Sequence, residues 1–231
     1  MKATKITMID YGASNIRSAY KAFEHLGADV QLTSDPADVL AGEKLVLPGV
    51  GAFGSGMAAV RERGLETAVQ QRVAQGVPLL GICVGMQFLF ETSDEMGQHT
   101  GLGLVPGRVT RFEGGNGLKV PHMGWNQLEF EQPHFLLNKV ERGEHTYFVH
   151  SYYCIPTNPN SVVAHTDYER PFCVTVEHEN VYGLQFHPEN SQKTGLQILQ
   201  NHIDYYGIEG TETAKRPQIS IAIKNFMSHR H

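Results

Sequence analysis

The pentapeptide Gly81-Ile82-Cys83-Val84-Gly85 sets a thiol between two glycines, at the junction of an apolar strand-like run and a helix. This is the context of a nucleophile elbow of the G-x-nucleophile-x-G type, a strained strand-to-helix turn that presents its central side chain. In such a turn, side chains at Gly81 and Gly85 would collide with neighbouring backbone. A helix N-terminus beneath the sulfur favours the thiolate, the form that attacks. An arbitrary cysteine is more often a small buried hydrophobe. The flanking glycines single out Cys83 as the nucleophile, whereas Cys154 and Cys173 lack that setting and read as core.

A thiol nucleophile needs a proton acceptor, and context selects one of the 12 histidines. His187 ends the apolar run 181–186 and is followed by Pro188 and Glu189. Residues two apart in an extended segment share a face, so the Glu189 carboxylate can back the imidazole, fix its tautomer and stabilise the imidazolium. Pro188 stiffens the spacing by fixing φ. A His-Pro-Glu tripeptide alone reads as a surface loop; beside the elbow it completes a Cys-His-Glu triad.

Attack on an acyl carbon creates an oxyanion, for which the backbone must supply donors. The amide of Val84 follows the nucleophile directly, and Gly49-Val50-Gly51 offers a second, because glycines on both sides leave that peptide free to turn inward or outward. The surrounding loop, PGVGAFGSG at residues 48–56, lacks the ending of a P-loop and the spacing of a dinucleotide fingerprint, which argues against nucleotide binding. No C-x-x-C occurs, and His122, His134 and His145 are scattered, so no metal or other cofactor is expected.

These groups need elements to carry them together. Residues 5–10, 28–32, 44–47 and 78–82 read as strands alternating with helices, one closed by Gly27, a short one opened by Ser34-Asp35-Pro36, and a single helix over residues 57–75 stopped at Gly76. The alternation predicts right-handed βαβ crossovers and an open, doubly wound, mostly parallel α/β sheet. Its strand C-terminal ends would bring Cys83, the Pro48 loop and His187 to one edge. Short β-rich runs at 108–112, 126–130, 146–149, 172–178 and 181–186 predict an antiparallel extension, the last two joined as a tight hairpin by Glu179-Asn180. A helix over 192–206 follows.

With 231 residues, 41% of them hydrophobic and 19% charged, the chain reads as one domain able to bury a large core. A net charge of -5 lacks the positive field that nucleic-acid binding needs. The longest mostly apolar run, 77–90, is shorter than the ~20 residues that cross a bilayer. Three cysteines at unrelated spacings predict a reducing, cytoplasmic setting.

The PGVG loop, the elbow followed by Met86-Gln87, and the late His-Pro-Glu resemble, in that order, the class I, triad-type glutamine amidotransferases. Within that class, Asp10-Tyr11-Gly12 with residues 15–18, Pro121-His122-Met123-Gly124-Trp125-Asn126 and Tyr147-Phe148-Val149-His150-Ser151-Tyr152 are similar to glutaminase subunits of imidazole glycerol phosphate synthases, from histidine biosynthesis. The resemblance spans residues 5 to 203. It implies a flavodoxin-like class I amidotransferase fold for a domain at residues 1–206, with a tail, 207–231, beyond the usual end of the family.

The resemblance implies that Cys83 attacks the side-chain amide of L-glutamine, that His187 passes the thiol proton to the departing ammonia, and that water then hydrolyses the glutamyl thioester. It further implies that Gln87, Glu95 and His150-Ser151-Tyr152 hold the glutamine and that Val50 and Gly51 line the oxyanion hole. Ammonia must reach its acceptor unprotonated, and too few residues follow the last predicted helix to make an acceptor domain. The implied partner is a cyclase subunit with a (β/α)8 barrel. In that heterodimer ammonia joins a phosphoribulosyl-formimino-carboxamide nucleotide to give imidazole glycerol phosphate and an aminoimidazole carboxamide ribonucleotide. Asn15, Ser18, Trp125 and Tyr147 would lie near the docking face.

After His-Pro-Glu the family usually carries a basic residue that pairs across the interface. Here Asn190 is neutral, so that ion pair should be absent or replaced. The freedom of the Gly49-Val50-Gly51 peptide predicts that the oxyanion hole forms fully only with the partner and its nucleotide bound. Two alternatives stay open: a glutaminase serving another synthase, such as that of pyridoxal phosphate or anthranilate, and a catalytically silent scaffold for a barrel enzyme. The HMGWN run argues against the first and the intact triad against the second.

Overall fold

The computed structural model describes residues 3–115 and 117–205; the predicted tail at 207–231 lies outside them. The first half follows the alternation: β1 (Lys5–Ile9), α1 (Ile16–His25), β2 (Asp29–Thr33), α2 (Pro36–Ala41), β3 (Leu45–Gly49), α3 (Phe53–Glu62), α4 (Leu65–Ala74), β4 (Leu79–Cys83) and α5 (Val84–Phe88). Strands β3 and β4 are buried at every residue, as parallel strands covered on both faces must be. Helix α1 buries Ile16, Ala19, Ala22 and Phe23, three and four apart, so that one stripe meets the sheet. Asp35 caps α2 by accepting the Ala37 N–H at 2.8 Å, with Pro36 in the first helical position.

The single helix expected over residues 57–75 is two helices. Gly64 takes the left-handed conformation, φ 69°, and separates α3 from α4. Periodicity misses the break because Met57, Val60, Leu65, Ala68, Val69 and Val73 are buried on both sides of it at spacings close to helical.

The second half holds β5 (Phe90–Ser93), β6 (His99–Thr100), β7 (Val105–Arg111), β8 (His122–Gln127), β9 (His145–His150), β10 (Tyr152–Pro156), β11 (Val162–Tyr168), β12 (Arg170–His178) and β13 (Val181–Leu184), then α6 (Gln192–Asp204). One 11-stranded sheet runs β2-β1-β3-β4-β13-β12-β10-β7-β5-β6, with β11 paired to β12 off that path. Strands β2, β1, β3, β4 and β13 are mutually parallel, in the order of flavodoxin-like sheets. The β12–β13 hairpin forms as expected, with Glu179 at φ 53° in its turn, and opens the antiparallel extension. The strand expected at 126–130 lies earlier, as β8, and pairs with β9 in a separate two-stranded sheet rather than joining the extension. Gly124 and Asn126 are weak strand formers, and pairing with β9 overrides that local preference.

The C-terminal ends of β3, β4 and β13 share one rim, with Gly49 opposite Cys83 and Ile82 opposite Leu184. The Pro48 loop, the elbow and the chain leading to His187 all leave the sheet there.

Candidate active site

Cys83 closes β4 and opens α5 with φ 55° and ψ −112°, a conformation costly for an L side chain. The packing around it admits only glycines at the flanks. A Cβ on Gly85 would stand 1.8 Å from the Leu47 carbonyl oxygen, and one on Gly81 would stand 2.6 Å from that of Gly85. Both collisions are the ones expected from the elbow motif.

His187 is hydrogen-bonded to Cys83 on one side, and on the other its Nδ1 donates to Glu189 Oε1 at 2.8 Å. Burial by itself would strip the ring of its proton. The hydrogen bonds to Cys83 and Glu189, together with their negative charge, outweigh it and push the His187 pKa up to about 10. The ring therefore holds a proton between sulfur and carboxylate at neutral pH. The three residues chosen from separate stretches of sequence meet at one point.

A second layer holds this point in place. The His187 backbone N–H donates to the Tyr147 carbonyl at 2.9 Å. Ser191 Oγ donates to the His187 carbonyl at 2.6 Å and accepts the Tyr147 N–H at 2.9 Å, which stitches β9 to the triad turn. Gln185 points its amide nitrogen at Cys83 Sγ, 3.9 Å away, and accepts from the Gln87 amide at 3.2 Å. Sequence reasoning missed Gln185 and Ser191. For Gln185 a signal existed, since it stands two residues before His187 and shares its face.

Tyr11, part of the Asp10-Tyr11-Gly12 motif, has no role assigned from sequence. Its buried hydroxyl lies where a Cβ on Gly49 would approach to 2.8 Å. The Val50 N–H faces this hydroxyl without closing a hydrogen bond, and burial raises the phenol well above its ordinary pKa.

Val50, Gly51 and Val84, expected in the oxyanion hole, line one cleft of about 350 Å³ with Cys83 and His187. The same cleft is walled by Gln87, Glu95, His150, Ser151 and Tyr152, all of the residues expected around the glutamine. Gln87 is buried and donates to the Tyr152 carbonyl at 3.0 Å. Glu95 Oε2 accepts the Phe53 N–H at 2.7 Å, capping α3 at the cleft edge.

A cavity of about 10 Å³, at the lower limit for a single water, touches His187 and Glu189 and reaches Asn15 at the start of α1. Ser18 donates to Asn15 Oδ1 at 2.9 Å. Trp125 is 46% exposed and meets Tyr147 edge to face, centroids 5.9 Å apart, on the outer face of β8–β9. Asn190 is exposed in the turn Pro188–Asn190.

A sulfur nucleophile, a protonated imidazole and a carboxylate under a polar cleft can take the acyl group of a carboxamide and protonate its departing nitrogen, releasing ammonia. That chemistry on this sheet defines a glutamine amidotransferase of class I, and residues 7–205 match the family profile described as "Glutamine amidotransferase class-I". The imidazole glycerol phosphate synthase subunit HisH of Syntrophotalea carbinolica is 48% identical over 204 residues, 86% of this chain and 99% of that one. Its counterpart in Moorella thermoacetica is 46% identical over 196 residues, 85% of this chain and 92% of that one. Among solved structures, PurLQS from Thermotoga maritima matches with a TM-score of 0.70, 22% identity and coverage of 90% of this chain and 100% of that one, a likeness of fold. The chain belongs to the class I glutamine amidotransferase family and, within it, to the HisH subunits of imidazole glycerol phosphate synthase.

Proposed function

We propose that this chain is the ammonia-donating glutaminase subunit of an imidazole glycerol phosphate synthase, acting in histidine biosynthesis. The reading is carried by the meeting of Cys83, His187 and Glu189 beneath a cleft that also gathers Gln87, Glu95 and residues 150–152. Cys83 Sγ attacks Cδ of L-glutamine, and His187 gives its proton to the nitrogen as the C–N bond breaks, releasing ammonia. A glutamyl thioester remains. Water then loses a proton to His187 as its oxygen adds to the thioester carbon, the C–S bond breaks, and glutamate leaves. Glu189 keeps the imidazole oriented throughout.

The Val84 N–H serves the oxyanion, and the Val50–Gly51 peptide joins it when Val50 turns from the Tyr11 hydroxyl. Glu95 suits the α-amino group of the substrate, and amide donors suit its α-carboxylate. Ammonia passes unprotonated to a cyclase subunit with a (β/α)8 barrel. Its docking face includes Asn15, which lines the small cavity at His187 and Glu189, with Ser18, Asn190 and the Trp125–Tyr147 pair on the outer face of β8–β9. A cytoplasmic setting suits three cysteines that are all free.

The experiment is glutamate release from glutamine by the full chain, alone and with a cyclase subunit and its nucleotide. Release should accelerate in the complex, a glutamyl adduct should be captured on Cys83 by mass spectrometry, and Cys83→Ala should be inactive with an unchanged circular dichroism spectrum. An active Cys83→Ala variant would refute the reading.

A further inference from the structure

Two buried histidines stand between the cleft and the exposed face of β8–β9, and the mechanism above gives His122 no task. His122 and His150 lie opposite one another in the antiparallel pair, 3% and 6% exposed. Phe148 and Tyr168 stack on the His122 ring with centroids at 4.8 and 4.1 Å. Phe112 and Phe172 flank His150, each at 5.5 Å. Such walls cannot hydrate a charge. Burial lowers the pKa of His122 to about 4 and that of His150 to about 3, so both rings are neutral at neutral pH.

The polar contacts then dictate which nitrogen carries each proton. His150 Nδ1 stands 2.8 Å from the Tyr152 carbonyl, which only accepts, so Nδ1 is protonated. His150 Nε2 is left as an acceptor, and His122 Nδ1 donates to it at 3.1 Å. His122 Nε2 accepts from the Asn126 amide at 3.3 Å, and that amide also donates to the Asp167 carbonyl at 2.9 Å. Every proton in this chain points from Asn126 toward the Tyr152 carbonyl. The same carbonyl takes the Gln87 amide at 3.0 Å, and Gln87, His150 and Tyr152 wall the cleft beside Cys83.

We propose that His122 is a positioning residue for the glutamine cleft: by holding His150 with its proton on Nδ1, it pins the Tyr152 carbonyl and the wall that glutamine lies against. The role in glutamine binding rests on the glutaminase reading; the tautomer does not. Without the His122 donor, His150 Nε2 is a buried acceptor with no partner. The ring is then held by the Tyr152 carbonyl alone, and ring and carbonyl lose the second contact that fixes their position.

The test uses the full chain with a cyclase subunit and its nucleotide, reading KM for glutamine and kcat separately, with ring-15N spectra of the histidine-labelled wild type. His122→Phe keeps a stacked ring and removes both nitrogens. It should raise KM about fivefold, the cost of one hydrogen bond, and change kcat by less than about twofold. His122→Asn, whose amide nitrogen takes the place of Nδ1, should bring KM back toward the wild-type value. The wild-type spectrum at neutral pH should show His150 protonated on Nδ1 and bare on Nε2.

A wild-type KM in His122→Phe, an equal rise in both variants, or a His150 protonated on Nε2 would overturn the proposal. A wild-type complex that releases no glutamate would instead remove the glutaminase reading, and the spectrum alone would then decide the tautomer.

Discussion

At His187, burial pulls the pKa down while Cys83 and Glu189 pull it up, and the two partners prevail. The imidazole must be protonated to expel ammonia, so hydrolysis falls as pH rises through the His187 pKa, about 10 in this structure. Glu189→Gln keeps an oxygen for the Nδ1–H and removes the negative charge, which lowers that pKa. The alkaline limb of the pH–rate profile should move to lower pH in the variant, and kcat at neutral pH should fall by at least about tenfold. An alkaline limb that stays in place would take Glu189 out of the triad. The triad was legible because each member is announced by its neighbours, Cys83 by Gly81 and Gly85, His187 by a strand end and a proline. Ser191 and Tyr11 carry no such mark, since their roles come from what the fold lays against them.

Helix α6 is the floor of the His-Pro-Glu turn. A Cβ on Gly195 would stand 2.0 Å from the Pro188 carbonyl oxygen, so the helix lies directly against that turn. Its far end is held by Lys44 before β3, whose buried Nζ donates to the carbonyls of His202, Ile203 and Tyr205 at 2.7, 2.9 and 2.5 Å. A cation there complements both the helix dipole and the unpaired carbonyls of the last turn. Lys44→Met should cost about 2–4 kcal/mol, because it strands buried acceptors, and urea unfolding reads that loss directly. An unchanged midpoint would mean that water or a neighbour replaces the ammonium. In the sequence Lys44 reads only as the charged edge of a strand, because its partners lie more than a hundred residues further along the chain.

The molecule as a whole carries histidines of two opposite kinds. His122, His150 and His202 are buried neutral, with pKa values lowered to about 4, 3 and 3, mainly by burial. Below the ordinary histidine pKa of about 6.5 the unfolded chain takes up protons that the native rings refuse. Stability is therefore complete above about 6.5 and lost as pH falls from there toward 4 for His122 and toward 3 for His150 and His202, at up to about 1.4 kcal/mol per pH unit for each ring. His187 works the other way: its contribution is full below about 6.5 and disappears as pH rises through its raised pKa, about 10. Urea midpoints should drop sharply from pH 7 to pH 5, and a flat profile over that interval would show that the three rings do not stay neutral. Among the described residues no helix is long and apolar enough to cross a membrane.

Local chemistry was written in the sequence: the elbow glycines, the His-Pro-Glu spacing, the strand–helix alternation that demands a parallel sheet, and the rim where its strands end. These depend on backbone sterics and hydrophobic period, which act over a few residues at a time. Only the tertiary structure decided that α3 and α4 part at Gly64, that β8 and β9 form a sheet of their own, that Ser191 holds the His187 turn and that His122 stands behind His150. Those facts follow from which distant strands pair and in what register, and a pairing between remote segments leaves no period in either of them.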